Sequence, residues 1–141
     1  MCGDAYDGIR NNELPDGKYA RNLVITGQYR SGDVITAKVQ LTANHRGFFE
    51  FRLCPATSDH VEVTQDCLDE NVLQVIGSPD PVKFIVPDIL ARIYDVKLRL
   101  PEGLTCKRCV LQWTYTAGNN WGKCDGSWVF RVGCGPQVSF F

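Results

Sequence analysis

Apolar and polar residues alternate one by one along much of this chain. In residues 94–100, YDVKLRL, every second side chain is apolar, which places these side chains on one face of a β-strand. Residues 34–43 follow the same pattern, and further strands are predicted at residues 48–53, 82–86, 110–116 and 127–132. Strands of this length, separated by turns rich in Gly, Pro and Asn, predict an all-β fold, an antiparallel β-sandwich.

Outside these strands, the sequence predicts little regular secondary structure. A helix of one or two turns is predicted within residues 64–75. The 141 residues show no repeat or linker, so we expect a single domain spanning 1–141 that can bury a core.

The charge balance argues against two kinds of partner. The formal net charge is −1, which gives no electrostatic reason to bind nucleic acid or an anionic membrane surface. No apolar run reaches the roughly 18 residues that a membrane span requires. We therefore expect a monomeric domain with neither nucleic acid nor membrane as a partner.

Seven cysteines in one small domain are typical of a secreted, extracellular protein. The first residues show no basic and apolar leader, and we expect that a signal and some N-terminal sequence have been removed. Cys54 and Cys67 are predicted to close a short loop. The other disulfides are predicted to join Cys106 and Cys109 to Cys124 and Cys134 in either order, which leaves Cys2 over.

Two other readings of the C-x-x-C pair at 106–109 are weaker. A structural zinc site needs a second pair at similar spacing or nearby histidines, and His45 and His60 are far away in sequence. A thioredoxin-like site needs a βαβ context, which the strand pattern does not provide.

Few side chains stand out as chemical groups. His45 follows one alternating strand and precedes an Arg46-Gly47 turn, so the sequence suggests that it lies at the tip of a β-hairpin. An isolated histidine at such a place is most often an ordinary surface residue. Trp113 shares a strand face with Leu111 and Tyr115 and is expected in the core, whereas Trp121, in an Asn-Asn-Trp-Gly turn, is the candidate exposed ring for a sugar.

Several longer blocks are more specific: CGDAYDG, TANHRGFFEFRLCP, TQDCLD, LPEGLTCKRCVLQWTYTAGNNWG and CGPQ. In this order, from residue 2 to about residue 140, the chain resembles the lytic polysaccharide monooxygenases of auxiliary-activity family fifteen, often labelled chitin-binding type-4 domains. The resemblance implies an immunoglobulin- or fibronectin-like sandwich. It also implies one copper ion held by a histidine brace, with chitin as the expected polysaccharide.

The resemblance assigns roles to individual residues. His45, in the T-A-N-H block, corresponds to the second histidine of the brace, and imidazole nitrogen suits Cu(II). Ala43 corresponds to the small residue beside the axial copper position, and Phe140 to the axial aromatic residue. Trp121 remains the candidate for substrate binding.

Two departures from the family pattern matter. The N-terminal histidine that completes the brace is absent, and Val138 stands where the family tends to carry Glu. We therefore expect a polysaccharide-binding domain of a copper monooxygenase that is itself inactive, with oxidative cleavage belonging to a longer parent. The alternatives are a non-catalytic chitin-binding or matrix protein that has lost the copper site, and an enzyme with unrelated chemistry on the same fold.

Overall fold

Eight strands and one short helix form in the part of the chain that the computed structural model describes, namely residue 4 and residues 7–119, 121–123 and 130–132. The strands are β1 (Val34–Gln40), β2 (Phe48–Pro55), β3 (Gln74–Ile76), β4 (Phe84–Ile85), β5 (Ile93–Arg99), β6 (Cys109–Thr116), β7 (Trp121–Lys123) and β8 (Phe130–Val132), and the helix is α1 (Gln65–Glu70). Each of the six predicted strands overlaps an observed one. The alternation does not predict β3 and β7, because three residues are too few to show a period of two.

Six of the described strands form two antiparallel sheets. Sheet A has the order β1-β5-β3, and sheet B has the order β4-β2-β6. β7 and β8 pair antiparallel as a separate two-stranded unit.

The apolar faces of the two sheets share one core. In sheet A, Val39 lies opposite Tyr94, and in sheet B, Phe49 lies opposite Tyr115. The buried members of the core are Val39, Leu41, Phe49, Phe51, Leu53, Leu73, Val75, Val86, Tyr94, Val96, Leu98 and Tyr115. Trp113 packs against this core, as its strand position predicts. The predicted antiparallel β-sandwich is therefore confirmed.

Helix α1 covers part of the outer face of sheet B. Its N-cap is Thr64, whose hydroxyl accepts a hydrogen bond from the N–H of Cys67 at 3.3 Å, a side-chain cap of the kind that stabilises short helices. Leu68 is fully buried with Val63 and Cys54 in a second, small apolar cluster. No helix in the described ranges is long and apolar enough to cross a membrane.

The disulfides confirm one prediction and correct another. Cys54 and Cys67 are bonded, with their Cα atoms 5.6 Å apart, as predicted. Cys106 and Cys109 are bonded to each other, with Cα atoms 5.9 Å apart, so the prediction that they pair with Cys124 and Cys134 is wrong. The turn before β6 brings the two sulfurs of the C-x-x-C together within the range that a disulfide spans. Cys2, Cys124 and Cys134 lie outside the described residues.

Residues 41–47 join the two sheets and do not close a β-hairpin. β1 pairs with β5, whereas β2 pairs with β4 and β6, so the prediction of a hairpin between β1 and β2 is wrong. A hairpin would put both apolar faces in one sheet, but the core requires them on opposing sheets. The tight turn itself is present, with φ of 58° at Arg46 and 86° at Gly47.

Candidate functional site

His45 lies in the connection between the sheets, which we call the crossover loop (residues 41–47). Its side chain is exposed, and so is that of Ala43, two residues earlier. The loop begins next to β5, where the N–H of Leu41 donates to the carbonyl of Arg92 at 3.0 Å. The imidazole therefore lies at the surface, on the loop that connects sheet A to sheet B.

The backbone of His45 is held on both sides. Its N–H donates to the hydroxyl of Tyr115 at 3.1 Å, and its carbonyl accepts from the N–H of Gly118 at 3.0 Å. The Tyr115 hydroxyl in turn donates to the carbonyl of Arg46 at 2.8 Å. One hydroxyl therefore binds the N–H of His45 and the carbonyl of the next residue, Arg46.

The turn after His45 is fixed by close backbone packing. Gly47 has φ of 86°, and a Cβ placed there would stand 1.8 Å from the carbonyl oxygen of Thr116. The carbonyl of Gly47 accepts from the N–H of Val86 at 3.0 Å. Only glycine fits both the positive φ and this approach to β6.

The start of the crossover loop is held through Asn44. Its side-chain amide donates to the hydroxyl of Tyr94 at 2.7 Å and to the carbonyl of Leu90 at 3.0 Å. Its side-chain oxygen accepts from the N–H of Arg46 at 2.7 Å. This oxygen-to-backbone bond is the usual way that Asn stabilises a turn two residues on.

A charged pair at the surface continues this network. The Tyr94 hydroxyl donates to Asp88 at 2.6 Å, and the Arg92 guanidinium lies 2.5 Å from the other oxygen of Asp88. The hydrogen bond from Tyr94, with help from the Leu90 N–H and Arg92, lowers the pKa of Asp88. Burial, followed by the bond to Asp88, raises the pKa of Tyr94.

Apolar side chains lie beside the crossover loop at the surface. Ile89 is 64% exposed and Leu90 is 58% exposed, and the backbone of Leu90 is tied to Asn44. Two exposed aliphatic side chains therefore lie on the segment whose backbone is bonded to Asn44, the residue before His45.

The described residues form no complete metal site. Across those residues there is no group of three or more His, Cys, Asp or Glu side chains placed to hold a metal. His60 is exposed in a separate loop, with its N–H bonded to the hydroxyl of Ser58. An exposed imidazole on a well-held backbone fits one nitrogen ligand of Cu(II), and His45 is bonded at both its N–H and its carbonyl.

Three further residues were singled out from the sequence, and only one of them lies within the described residues. Phe140 and Val138 lie outside the described residues. Trp121 is the first residue of β7, opposite Val132, so its predicted place in the preceding turn is wrong, since pairing with β8 begins one residue after Asn120.

Sequence reasoning missed the anchors of the crossover loop. Tyr115, Tyr94 and Asn44 were not predicted as site residues. The two tyrosines occupy inward positions of alternating strands, which predicts burial but not the partner of the hydroxyl. Asn44 could have been predicted from the sequence, because an Asn side chain often accepts a hydrogen bond from the backbone N–H two residues later in a turn.

Comparison with known proteins identifies the family. A family model described as "Lytic polysaccharide mono-oxygenase, cellulose-degrading" matches residues 1–125. A solved structure of an AA15 lytic polysaccharide monooxygenase from Thermobia domestica in the Cu(I) state is 40% identical, with a TM-score of 0.85. The match covers 99% of this chain and 70% of that one. No curated protein matches the chain. This chain belongs to the lytic polysaccharide monooxygenases of the AA15 type, a copper-dependent family that acts on insoluble polysaccharides.

Proposed function

We propose that this domain is the chitin-binding and copper-holding part of a secreted lytic polysaccharide monooxygenase. His45 supplies one ring nitrogen to the copper, and the crossover loop faces the polymer. The observation that supports this most is the exposed imidazole on a backbone fixed at both its N–H and its carbonyl. Precise placement of a ligand requires such a rigid support.

Copper, when bound, would supply the redox chemistry by which this family breaks glycosidic bonds. The chain's own residues have simpler tasks. His45 offers a ring nitrogen, Tyr115 and Gly118 hold its peptide groups, and Ala43 leaves space beside it. Phe140 is proposed as the axial aromatic residue, in keeping with the family pattern.

The neighbouring surface suits a polysaccharide chain. Ile89 and Leu90 present aliphatic groups beside the crossover loop, and such groups pack against the C–H faces of sugar rings. Trp121 is proposed as a further contact. Chitin is the proposed polymer, because the sequence blocks resemble chitin-binding type-4 domains.

A polypeptide of these 141 residues has two histidines, His45 and His60. A brace needs two imidazoles and a histidine amine around one ion. We therefore expect this polypeptide to bind polysaccharide and not to oxidise it in the presence of copper and ascorbate. Release of oxidised oligosaccharides, detected by mass spectrometry, would contradict this part of the proposal.

The copper role is tested by replacing each histidine in turn. Cu(II) binding is measured by fluorescence quenching, and the nitrogen couplings of the bound ion are measured by electron paramagnetic resonance. His45→Ala should remove an imidazole coupling and weaken binding, whereas His60→Ala should change neither. Identical spectra for the two variants would exclude His45 as the ligand.

The substrate role is tested by sedimentation with insoluble polymers. The wild-type domain should bind α-chitin more than cellulose. Ile89→Asp should weaken this binding several-fold, while Val61→Asp, at an equally exposed apolar residue away from the loop, should not. A wild-type domain that binds chitin but takes up no Cu(II) would favour the non-catalytic alternative.

A further inference from the structure

We propose that Tyr115 is a positioning residue for the copper ligand: its buried hydroxyl, bonded to His45 and Arg46, sets the direction of the imidazole. This inference rests on the proposed role of His45 as a ligand. It assigns to a core tyrosine of β6 a role in the site that lies 70 positions away in sequence.

The two hydrogen bonds use both functions of the phenol. The hydroxyl accepts from the N–H of His45 at 3.1 Å and donates to the carbonyl of Arg46 at 2.8 Å. A phenol has one proton to donate and lone pairs to accept, so the two bonds are compatible at the same time. Phe at this position would keep the ring and lose both bonds.

The ring that carries this hydroxyl is itself fixed. Tyr115 is 6% exposed. Its ring packs edge-to-face on Phe49, with centroids 5.3 Å apart, and stacks on Trp113 at 6.4 Å. Aromatic packing of this kind restrains the ring, and the hydroxyl is therefore a fixed point on the rigid sheet B.

The backbone on the other side of these bonds needs such a fixed point. Arg46 has φ of 58°, a left-handed conformation that non-glycine residues seldom adopt. The Tyr115 hydroxyl binds the carbonyl of Arg46 itself and the N–H of the preceding residue, His45. Without the hydroxyl, the Arg46 backbone can leave the left-handed region, and the Cα–Cβ bond of His45 then changes direction.

The first test compares Tyr115→Phe with a variant that loses stability elsewhere. Thr64→Ala removes the N-cap of α1, on the outer face of sheet B, and is the control for lost stability alone. Tyr115→Phe should lower the Cu(II) affinity about tenfold or more, as loss of groups that support a ligand typically does. It should also change the Cu(II) electron paramagnetic resonance parameters. Thr64→Ala should leave the Cu(II) affinity and the spectrum unchanged, even where its melting temperature is as low as that of Tyr115→Phe.

The second test needs no metal. In Tyr115→Phe, the backbone amide of His45 should exchange with solvent faster, and its ring proton signals should shift in the NMR spectrum. Unchanged ring signals and an unchanged copper spectrum would overturn the inference, even if the melting temperature falls. Should Tyr115→Phe not fold, 3,5-difluorotyrosine at position 115 is measured at acidic pH, where the more acidic phenol keeps its proton. There the substitution weakens the acceptor while keeping the ring, and the His45 amide should again exchange faster.

The two proposals fail in different ways. If His45→Ala leaves copper binding unchanged, the ligand role is wrong, and the metal-free ring signals alone decide whether Tyr115 positions the side chain. If His45→Ala abolishes copper binding while Tyr115→Phe leaves affinity and spectrum unchanged, the ligand role stands and the positioning role is wrong.

Discussion

Gly47 lies so close to Thr116 that a Cβ on the glycine would stand 1.8 Å from the threonine carbonyl oxygen. The contact joins the crossover loop to the end of β6, next to Tyr115. The position also has φ of 86°. Two independent requirements, a left-handed backbone and an absent side chain, therefore meet at one residue of the candidate site.

Gly47→Ala should lower the free energy of unfolding by about 3 kcal/mol or more. A left-handed backbone costs an alanine about 1–2 kcal/mol, and displacement of the backbone of Thr116 adds the cost of overpacking. Gly103→Ala is the matched control, because Gly103 has φ of 77° with nothing within 4 Å of an added Cβ. Urea denaturation should show a smaller loss of unfolding free energy for Gly103→Ala. Equal losses for the two variants would mean that the backbone of Thr116 moves away from the new Cβ at no cost.

Phe49→Ala should be among the most damaging core changes, with a loss of about 3–5 kcal/mol. The ring of Phe49 is fully buried and contacts the rings of Phe84, Tyr94, Trp113 and Tyr115. Leu111→Ala, at a residue of β6 that is 43% exposed, should cost about 1 kcal/mol or less. Chemical denaturation of both variants checks this, and similar losses would mean that Phe49 is not the centre of the core.

The sequence was most informative where the physics is local. The alternation in β5 predicts its buried face, because Tyr94, Val96 and Leu98 are at every second position and all three are buried. A strand partner is not encoded in this way. Residues 34–40 and 48–55 each have an apolar face whether they pair with each other or stand in opposite sheets, which is why the predicted hairpin was wrong.

In the candidate site, too, local features can be predicted from the sequence and contacts between distant residues cannot. The exposure of His45 and the Arg46-Gly47 turn can be predicted from turn chemistry. The anchors of the loop cannot, since the hydroxyl of Tyr115 and the N–H of Gly118 reach it only after β6 has docked beside β2. The sequence also suggested that Cys106 and Cys109 pair with Cys124 and Cys134, whereas the turn before β6 brings Cys106 and Cys109 together.

The two disulfides should differ in what they contribute to stability. Replacing Cys54 and Cys67 by Ser opens a loop of 13 residues, for which the chain-entropy estimate is about 3 kcal/mol. The same replacement at Cys106 and Cys109 opens a loop of three, and the estimate falls to about 1.6 kcal/mol. Melting curves of the two double variants check the order. Arg108, within the C-x-x-C turn, donates from its guanidinium to the carbonyl of Ser58 at 2.6 Å, and a reversed order would mean that the turn stabilises this contact by more than the loop entropy.

The network of Asp88 and Tyr94 predicts a loss of stability at both ends of the pH scale. The pKa of Asp88 lies below its ordinary value of 3.8, owing first to the hydrogen bond from Tyr94. A lowered folded-state pKa gives stability that is present above the unfolded value and is lost as pH falls through the folded one. Burial first, and Asp88 second, raise the pKa of Tyr94 above 10.0, so its contribution is present below pH 10 and is lost as pH rises through the raised pKa.

Tyr94→Phe should remove the alkaline loss and weaken the acid one, since the ring stays while the hydroxyl that binds Asp88 and Asn44 is gone. The measurement is the free energy of unfolding from pH 2 to pH 11, with Tyr29→Phe, at an exposed tyrosine, as the control. Tyr94→Phe should also free the amide of Asn44 from one of its two acceptors and loosen the start of the crossover loop. Parallel pH profiles for the wild type and Tyr94→Phe would show that Asp88 owes its lowered pKa to Leu90 and Arg92 instead.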